Sequence, residues 1–304
     1  MSKFLITVIG PTAIGKTALA VSLARHFGTE IISSDSRQFY KEMSIGTAVP
    51  SPEEQQNIPH HFIQHISVTT PYSVGDFESE ALQKIKDLFR SNDKVILVGG
   101  SGLYTEAVLH GLDNFPRVLP GIRESLKQEF DKNGLQSIQD QLKKLDPNYY
   151  QVVDLHNPHR LIRALEVCLS SGKPYSSFLG QPRATRPFKA IVVGLQADRE
   201  VLYQRINARV DQMINKGLVE EVKQLLPYKT YNALQTVGYK EIFQFLEGTC
   251  SLETAVDEIK KNTRRFAKRQ LTWYRKSIEA LWFDYETPHE EIALELNKQL
   301  DQLK

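Results

Sequence analysis

The residues with the clearest chemical meaning stand near the N-terminus. Gly10, Pro11, Thr12, Ala13, Ile14, Gly15, Lys16 and Thr17 fit the spacing G-x-x-x-x-G-K-[ST], the pattern of a loop that wraps its backbone amides around a phosphate. Glycine lets those amides turn inward, and a following helix adds the partial positive charge of its N-terminus. In that arrangement Lys16 reaches the outermost phosphate and the Thr17 hydroxyl sits on Mg²⁺. The pattern does not say which phosphate compound is held. Asp35 is the best-placed carboxylate to serve as a general base across from the loop. A helix-capping carboxylate, or one that holds Mg²⁺ through water, accounts for it equally well. Arg205 and Arg209 are four apart and share a helix face. Two such guanidinium groups can clamp a diphosphate, although a lone arginine pair is more commonly a surface stripe.

These groups need elements to position them. Residues 4–9 are a short apolar, β-branched run that predicts a buried strand, and residues 17–25 predict the helix after it. Residues 29–34 and 94–98 predict two more strands, ending at Asp35-Ser-Arg-Gln38 and Gly99-Gly100-Ser101-Gly102-Leu103-Tyr104, with an amphipathic helix over 77–90 between them. Alternation of this kind predicts an α/β fold with a P-loop NTPase-like parallel sheet. Ligands of such sheets sit at the carboxyl ends of strands, so the three turns should converge on one site. Between Pro116 and Pro187 strand-like runs vanish, and charged helical segments cover 121–132 and 135–145. The expected organisation is therefore a catalytic core of residues 1–115 and 188–304, interrupted by a mainly helical domain at 116–187. A strand over 189–194 and long helices over 200–226 and 252–282 complete the core.

The chain has 304 residues, 41% hydrophobic and 24% charged, enough to build a proper core. A net charge of +2 selects no partner, so the distribution of charge matters more. Residues 259–276 hold Lys260, Lys261, Arg264, Arg265, Lys268, Arg269, Arg275 and Lys276 without one acidic residue. That broad basic face suits a polyanion, most simply nucleic acid. Ile259, Thr263, Phe266, Gln270 and Trp273 form its inward stripe, which favours core packing for Trp273 over stacking on bases. Asn157 and Pro158 are good starting residues for a helix. Along it His159, Arg160, Arg163 and Glu166 lie opposite Leu161, Leu165 and Leu169; a solvated Arg–Glu pair is the leading reading, phosphate contacts the other. His60, His61 and His65 lack partners at zinc spacing and read as structural or surface residues. Cys168 and Cys250 read as reduced thiols of a cytoplasmic protein. The opening apolar run is too short for a signal peptide or membrane span, and no heptad pattern argues against a monomer.

Taken together, the chain resembles the tRNA dimethylallyltransferases, also called tRNA isopentenyltransferases. The likeness rests on GPTAIGKT (10–17), SSDSRQFYKEMSIGTA (33–48), IPHHFI (58–63), YSVGDF (72–77), VGGSGLY (98–104), HRLIRALEV (159–167), SGKP (171–174), LYQRINARVDQMINKGLVEEV (202–222), QTVGYKEI (235–242) and TRRFAKRQLTWYR (263–275). The chain departs from it at Val49, where the family commonly has Lys, at Gln64 in place of Asp, and at Asn157-Pro158-His159-Arg160 in place of Asn-Asp-Pro-Gln-Arg. These departures fall outside the blocks expected to do chemistry. No zinc-finger extension of the eukaryotic type is visible, so the resemblance is to the bacterial form.

A phosphate loop alone suggests an ATP-using small-molecule or nucleoside kinase, or a nucleotide-sensing RNA-binding protein. The resemblance instead implies a loop that holds dimethylallyl diphosphate, and an alkylation of an adenine amine next to the anticodon of tRNA. It implies that Asp35 deprotonates the amine and that Thr12 hydrogen-bonds the leaving oxygen. Lys16, Mg²⁺ on Thr17, the loop amides and Arg209 would neutralise diphosphate, with Arg205 beside them. It further implies tRNA contacts at Asp35, Ser36, Arg37 and Gln38, at Ser101 and Arg123, at His159, Arg160, Leu161, Ile162 and Arg163, and at Thr236, Val237, Gly238, Tyr239, Lys240 and Glu241. The insertion would clasp the anticodon arm opposite the core, and the basic helix would add phosphate contacts.

Overall fold

Strand β1 (Phe4–Ile9) is buried along its whole length, as expected for the centre of a parallel sheet covered on both faces. Its side chains alternate. Leu5 and Ile9 enter one apolar layer, while Phe4, Ile6 and Val8 enter the other. The computed structural model describes residues 2–181 and 185–303. The remaining strands are β2 (Ile31–Ser33), β3 (His60–His61), β4 (Lys94–Val98), β5 (Lys189–Gln196) and β6 (Leu281–Asp284). They form one parallel sheet in the order β3-β2-β4-β1-β5-β6. The order places the carboxyl end of β4 between those of β2 and β1. The Gly99–Gly100 turn therefore lies between Asp35 and the phosphate loop.

The helix Lys16–Phe27 starts directly after that loop, with Gly15 at φ 109° as its N-cap. Only glycine takes that conformation at little cost. Gly10 has φ +148°, and a Cβ there would sit 2.8 Å from the Leu195 carbonyl oxygen on β5. The loop thus lies tight against the sheet.

The structure departs from the sequence expectations in several places, each for a physical reason. The helix expected over 200–226 is two, Arg199–Asn215 and Leu218–Gln224, because Gly217 adopts φ 98° between them. The helix expected over 252–282 ends at Ser277, and the chain turns into β6. There the Trp282 ring covers Gly194 so closely that a Cβ would meet it at 2.5 Å. The buried stripe of helix Leu252–Ser277 is Ala255, Ile259, Ala267, Gln270 and Tyr274. Phe266 and Trp273, expected inward, are 39% and 37% exposed. Trp273 instead packs on Gly102, where a Cβ would collide with its ring.

By contact density the chain divides into two compact units, Met1–His110 with Thr185–Lys304, and Gly111–Ala184. Residues 182–184 of the expected insertion lie outside the described residues. Within the smaller unit, helix Ile122–Leu145 breaks at Gly134 (φ 75°). It packs with helix Pro158–Ser171 through Leu126, Ile138, Leu142, Leu161, Ile162 and Leu165. Buried Asp146 ties the unit together, accepting from Tyr149 N (2.9 Å), Ser176 N (2.6 Å) and Ser176 Oγ (2.8 Å).

Candidate active site

The carboxyl ends of β1, β2 and β4 open onto a cavity of about 670 Å³, walled by Thr12 through Ala18, Asp35, Gly99, Arg205, Arg209 and Gln270 among others. A second cavity of about 420 Å³ shares Thr12, Asp35, Arg209, Phe266 and Gln270 with it. Its further lining is more apolar, including Leu103, Tyr104, Val237 and Trp273. The two cavities therefore meet at Asp35, Arg209 and Thr12. A reagent with a charged and an apolar end can be met from two sides there.

Charge sharpens the picture. Lys16 Nζ donates to the Pro11 carbonyl at 2.7 Å. Burial lowers its pKa to about 8, against the opposing pull of Asp35, and Arg209 lowers it further. Arg209 is half-buried, and its pKa is lowered by burial while Asp35 raises it. Asp35 thus faces two cations across the cavity. Arg205 differs from Arg209. It is exposed, donates through Nε to Ala13 O at 2.8 Å, and stacks 5.0 Å above the Tyr285 ring. The two arginines are not an equivalent clamp, because only Arg209 reaches the junction of both cavities.

The loop after β2 is held from several directions. Asp35 Oδ1 accepts from Arg37 N at 3.1 Å. Ser36 bonds to Ser101 Oγ through both its N–H and its hydroxyl, each at 2.9 Å. Arg37 Nη1 donates to the carbonyls of Asn232 and Ala233 at 3.0 Å each, and Gln38 Nε2 to those of Thr47 and Ala48 at 3.2 and 3.0 Å. Arg37 and Gln38, expected as RNA contacts, are thus engaged in fixing neighbouring loops. Other residues expected at the RNA surface are placed as follows. Leu161, Ile162, Tyr239 and Glu241 are buried, so their side chains shape surfaces and do not form them. Tyr239 donates to Glu221 Oε1 at 2.6 Å, and Glu241 accepts from Gly238 N at 2.8 Å. Thr236, Val237 and Gly238 do line the second cavity, while Lys240 and His159 stand on the surface. Glu166, expected on a solvated face, is 1% exposed. It holds Arg123 with a bidentate contact and Arg163 at 3.5 Å, which leaves both guanidinium groups partly exposed. Val49, set outside the chemical blocks by its sequence context, stands in the wall of the larger cavity.

Two structural carboxamide and carboxylate anchors had weak sequence signals. Glu221 accepts from the amides of Ser44 (3.0 Å), Ile45 (2.7 Å) and Gly46 (3.0 Å), shaping a cavity wall from an ordinary-looking helical Glu-Glu pair. Gln270 was visible only as a polar member of an apolar stripe. Oxygen ligands suit Mg²⁺, but among the described residues no group of three or more His, Cys, Asp or Glu is placed to hold a metal. The Thr17 hydroxyl in the loop wall is one oxygen donor, so a Mg²⁺ bound there would have to take its other oxygens from a ligand or from water.

Fold and site together define an α/β phosphate-loop protein whose anion cavity opens beside a second, apolar chamber. Comparison with known proteins narrows the class. The sequence model of the family described as IPP transferase matches residues 38–277. The tRNA dimethylallyltransferase of Christiangramia forsetii is 59% identical over 94% of this chain and 95% of its own, and that of Flavobacterium johnsoniae 55% over 95% and 96%. Among solved structures, the full-length tRNA isopentenylpyrophosphate transferase of Bacillus halodurans superposes with a TM-score of 0.72 at 36% identity, covering 99% of this chain and 96% of that one. A eukaryotic dimethylallyltransferase acting on tRNA gives a TM-score of 0.86 at 28% identity, over 100% and 80%. The chain belongs to the IPP transferase family.

Proposed function

We propose that this chain is a tRNA dimethylallyltransferase, which moves the dimethylallyl group from dimethylallyl diphosphate to the N6 amine of the adenosine 3′ to the anticodon. The observation that carries this reading is the meeting of two cavities at Asp35, Thr12 and Arg209, one built on a phosphate loop and the other lined by rings. Diphosphate lies in the loop, and the adenine enters from the apolar side. N6 attacks the allylic carbon, the carbon–oxygen bond breaks with its electron pair leaving on diphosphate, and the N6 proton passes to Asp35. The allylic carbon shares developing positive charge, so stabilising the departing anion is the main task. Lys16, the loop amides and Arg209 do that, and Thr12 donates to the bridging oxygen. Mg²⁺ held on Thr17 adds charge neutralisation when bound. Extruding a base from a stacked loop costs a few kcal/mol, which contacts to the neighbouring nucleotides offset.

The test is mass spectrometry of nucleosides from unmodified tRNA incubated with protein, Mg²⁺ and dimethylallyl diphosphate. An adenosine heavier by one dimethylallyl group supports the reading, and ATP consumption without it sinks it.

RNA contact extends the reading to surfaces. Of the basic residues on helix Leu252–Ser277, Lys260 and Lys261 are paired with Asp211 and Glu258, and Arg264 bonds to Asn207. Arg265, Lys268, Arg269 and Lys276 are exposed and suit phosphates, as do Arg123, Arg160 and Arg163 on the smaller unit. Replacing Arg265 and Lys268 together by alanine should weaken RNA binding alike across sequences and reduce the salt slope by about 2. An unchanged slope would remove that face from the interface. A monomer in the cytoplasm completes the reading; among the described residues no helix is long and apolar enough to cross a membrane.

Lys16 gives a pH prediction. With its pKa lowered to about 8 by burial, it is charged below that pH and neutral above it. Diphosphate, already ionised above pH about 7, binds the charged form. Donor affinity should therefore hold to about pH 8 and then fall by up to about tenfold per unit. Calorimetric titration of the donor across that range checks it; a flat profile to pH ~10 would mean that Lys16 stays charged.

A further inference from the structure

The helix Leu252–Ser277 buries one glutamine, Gln270, at 6% exposure among apolar neighbours. A buried amide has to satisfy both a carbonyl and an amino group. Its Oε1 accepts from the Thr12 N–H at 2.9 Å, and its Nε2 donates to the Gly100 carbonyl at 2.7 Å. A backbone N–H can only donate and a carbonyl only accept, so the two partners fix the amide's orientation. They lie on different strand ends, Thr12 after β1 and Gly100 after β4. A Cβ on Gly100 would lie 2.7 Å from Gln270 Nε2 and 3.3 Å from Asp35 Oδ2. The glutamine and the carboxylate therefore converge on the same spot, and a side chain at position 100 would push against both. One turn further on, Tyr274 donates to the Gly99 carbonyl at 3.2 Å, pinning the helix to the same turn.

From this geometry we infer that Gln270 is a positioning residue: it fixes the spacing between Thr12, on the side of the leaving group, and Asp35, on the side of the attacking amine. The inference rests on the function proposed above. Gln270 acts through the backbone of Thr12 and Gly100 and supplies no proton to the reacting atoms. With its N–H committed to Gln270, Thr12 has its hydroxyl to offer the departing oxygen. A methionine in its place fills the same volume and leaves the Thr12 amide and Gly100 carbonyl without that tie, so the two loops can drift apart. Displacements of about 1 Å at a reacting pair can cost on the order of 100-fold.

Single-turnover rates at saturating dimethylallyl diphosphate and anticodon stem-loop RNA test this, with dissociation constants for both ligands, active-site titration and thermal melting measured alongside. Gln270→Met should lower the single-turnover rate roughly 10- to 100-fold while both dissociation constants stay within about threefold, a loss in kcat and not in KM. Gln270→Glu gives a readout that a merely structural residue would not. An ionised glutamate accepts from Thr12 but cannot donate to Gly100, whereas a protonated one does both. The rate of Gln270→Glu relative to wild type should therefore rise as pH falls. A wild-type rate in Gln270→Met, a loss accounted for wholly by unfolded protein, or a pH-independent ratio for Gln270→Glu would each overturn the inference. Wild-type protein that forms no dimethylallyl product would instead sink the functional reading on which it stands.

Discussion

Asp35→Asn should lower the rate of group transfer by about two to four orders of magnitude, the usual worth of a general base, and leave the fold in place. The substitution keeps an oxygen for the Arg37 amide, which Asp35 Oδ1 now accepts from at 3.1 Å, and it keeps the side-chain volume beside Gly100. What it removes is the carboxylate proposed above as the proton acceptor. Asp35→Ala should match it in rate and lose some loop order besides. A second consequence follows from charge. Asp35 raises the Lys16 pKa against the burial that lowers it. Without the carboxylate, that lysine loses its proton at lower pH still. Donor affinity in Asp35→Asn should therefore begin to fall below pH 8, earlier than in the wild type. Rate and donor affinity measured on one preparation separate the two roles. A variant that turns over normally but shows the earlier fall would leave Asp35 an electrostatic partner of Lys16 and assign the proton elsewhere.

Why the core of this site is legible in the sequence, and its surroundings are not, follows from how far each signal travels along the chain. The phosphate loop is local: strand, glycines, lysine and helix lie within Phe4–Phe27, and φ values such as +148° at Gly10 demand the residue found there. Asp35 is legible because parallel sheets gather the carboxyl ends of strands, and the order β2-β4-β1 does bring it to the loop. Helix ends set by tertiary contact are less readable. Nothing near Trp282 announces a strand, since its reason is Gly194 on β5. Likewise β3 is two residues long, too short to show a period. The anchors are harder still. Glu221 gathers three amides from residues 44–46, and Gln270 joins positions 12 and 100; such bonds between distant residues have no sequence period. Charged residues mislead in the other direction, because composition counts cations but not their partners. Arg37 holds two carbonyls and Lys260 faces Asp211, so the basic surface is narrower than the basic sequence.

Of the two arginines on helix Arg199–Asn215, Arg209 should carry almost all of the donor interaction. It is half-buried at the junction of both cavities, opposite Asp35, whereas Arg205 is exposed. Burial lowers its pKa, yet a guanidinium keeps its proton in proteins, so a full positive charge would face a diphosphate held by the loop. A fixed donor aimed at developing negative charge is worth on the order of 10²–10³ in rate. Arg209→Ala should lower kcat/KM for dimethylallyl diphosphate by that amount, with RNA affinity nearly unchanged. Arg209→Lys should recover part of the loss, because a lysine restores charge but not the planar two-pronged geometry. Arg205 already spends its Nε on Ala13 O at 2.8 Å and its face on the Tyr285 ring. Its removal loosens the outside of the phosphate loop, so Arg205→Ala should cost about 1 kcal/mol or less, a factor of about five. Titrating each substrate at saturation of the other separates the sites. If Arg209→Ala raises the KM for RNA alone, this guanidinium belongs to the acceptor side of the junction, and neutralising the departing diphosphate falls to Lys16 and the loop amides.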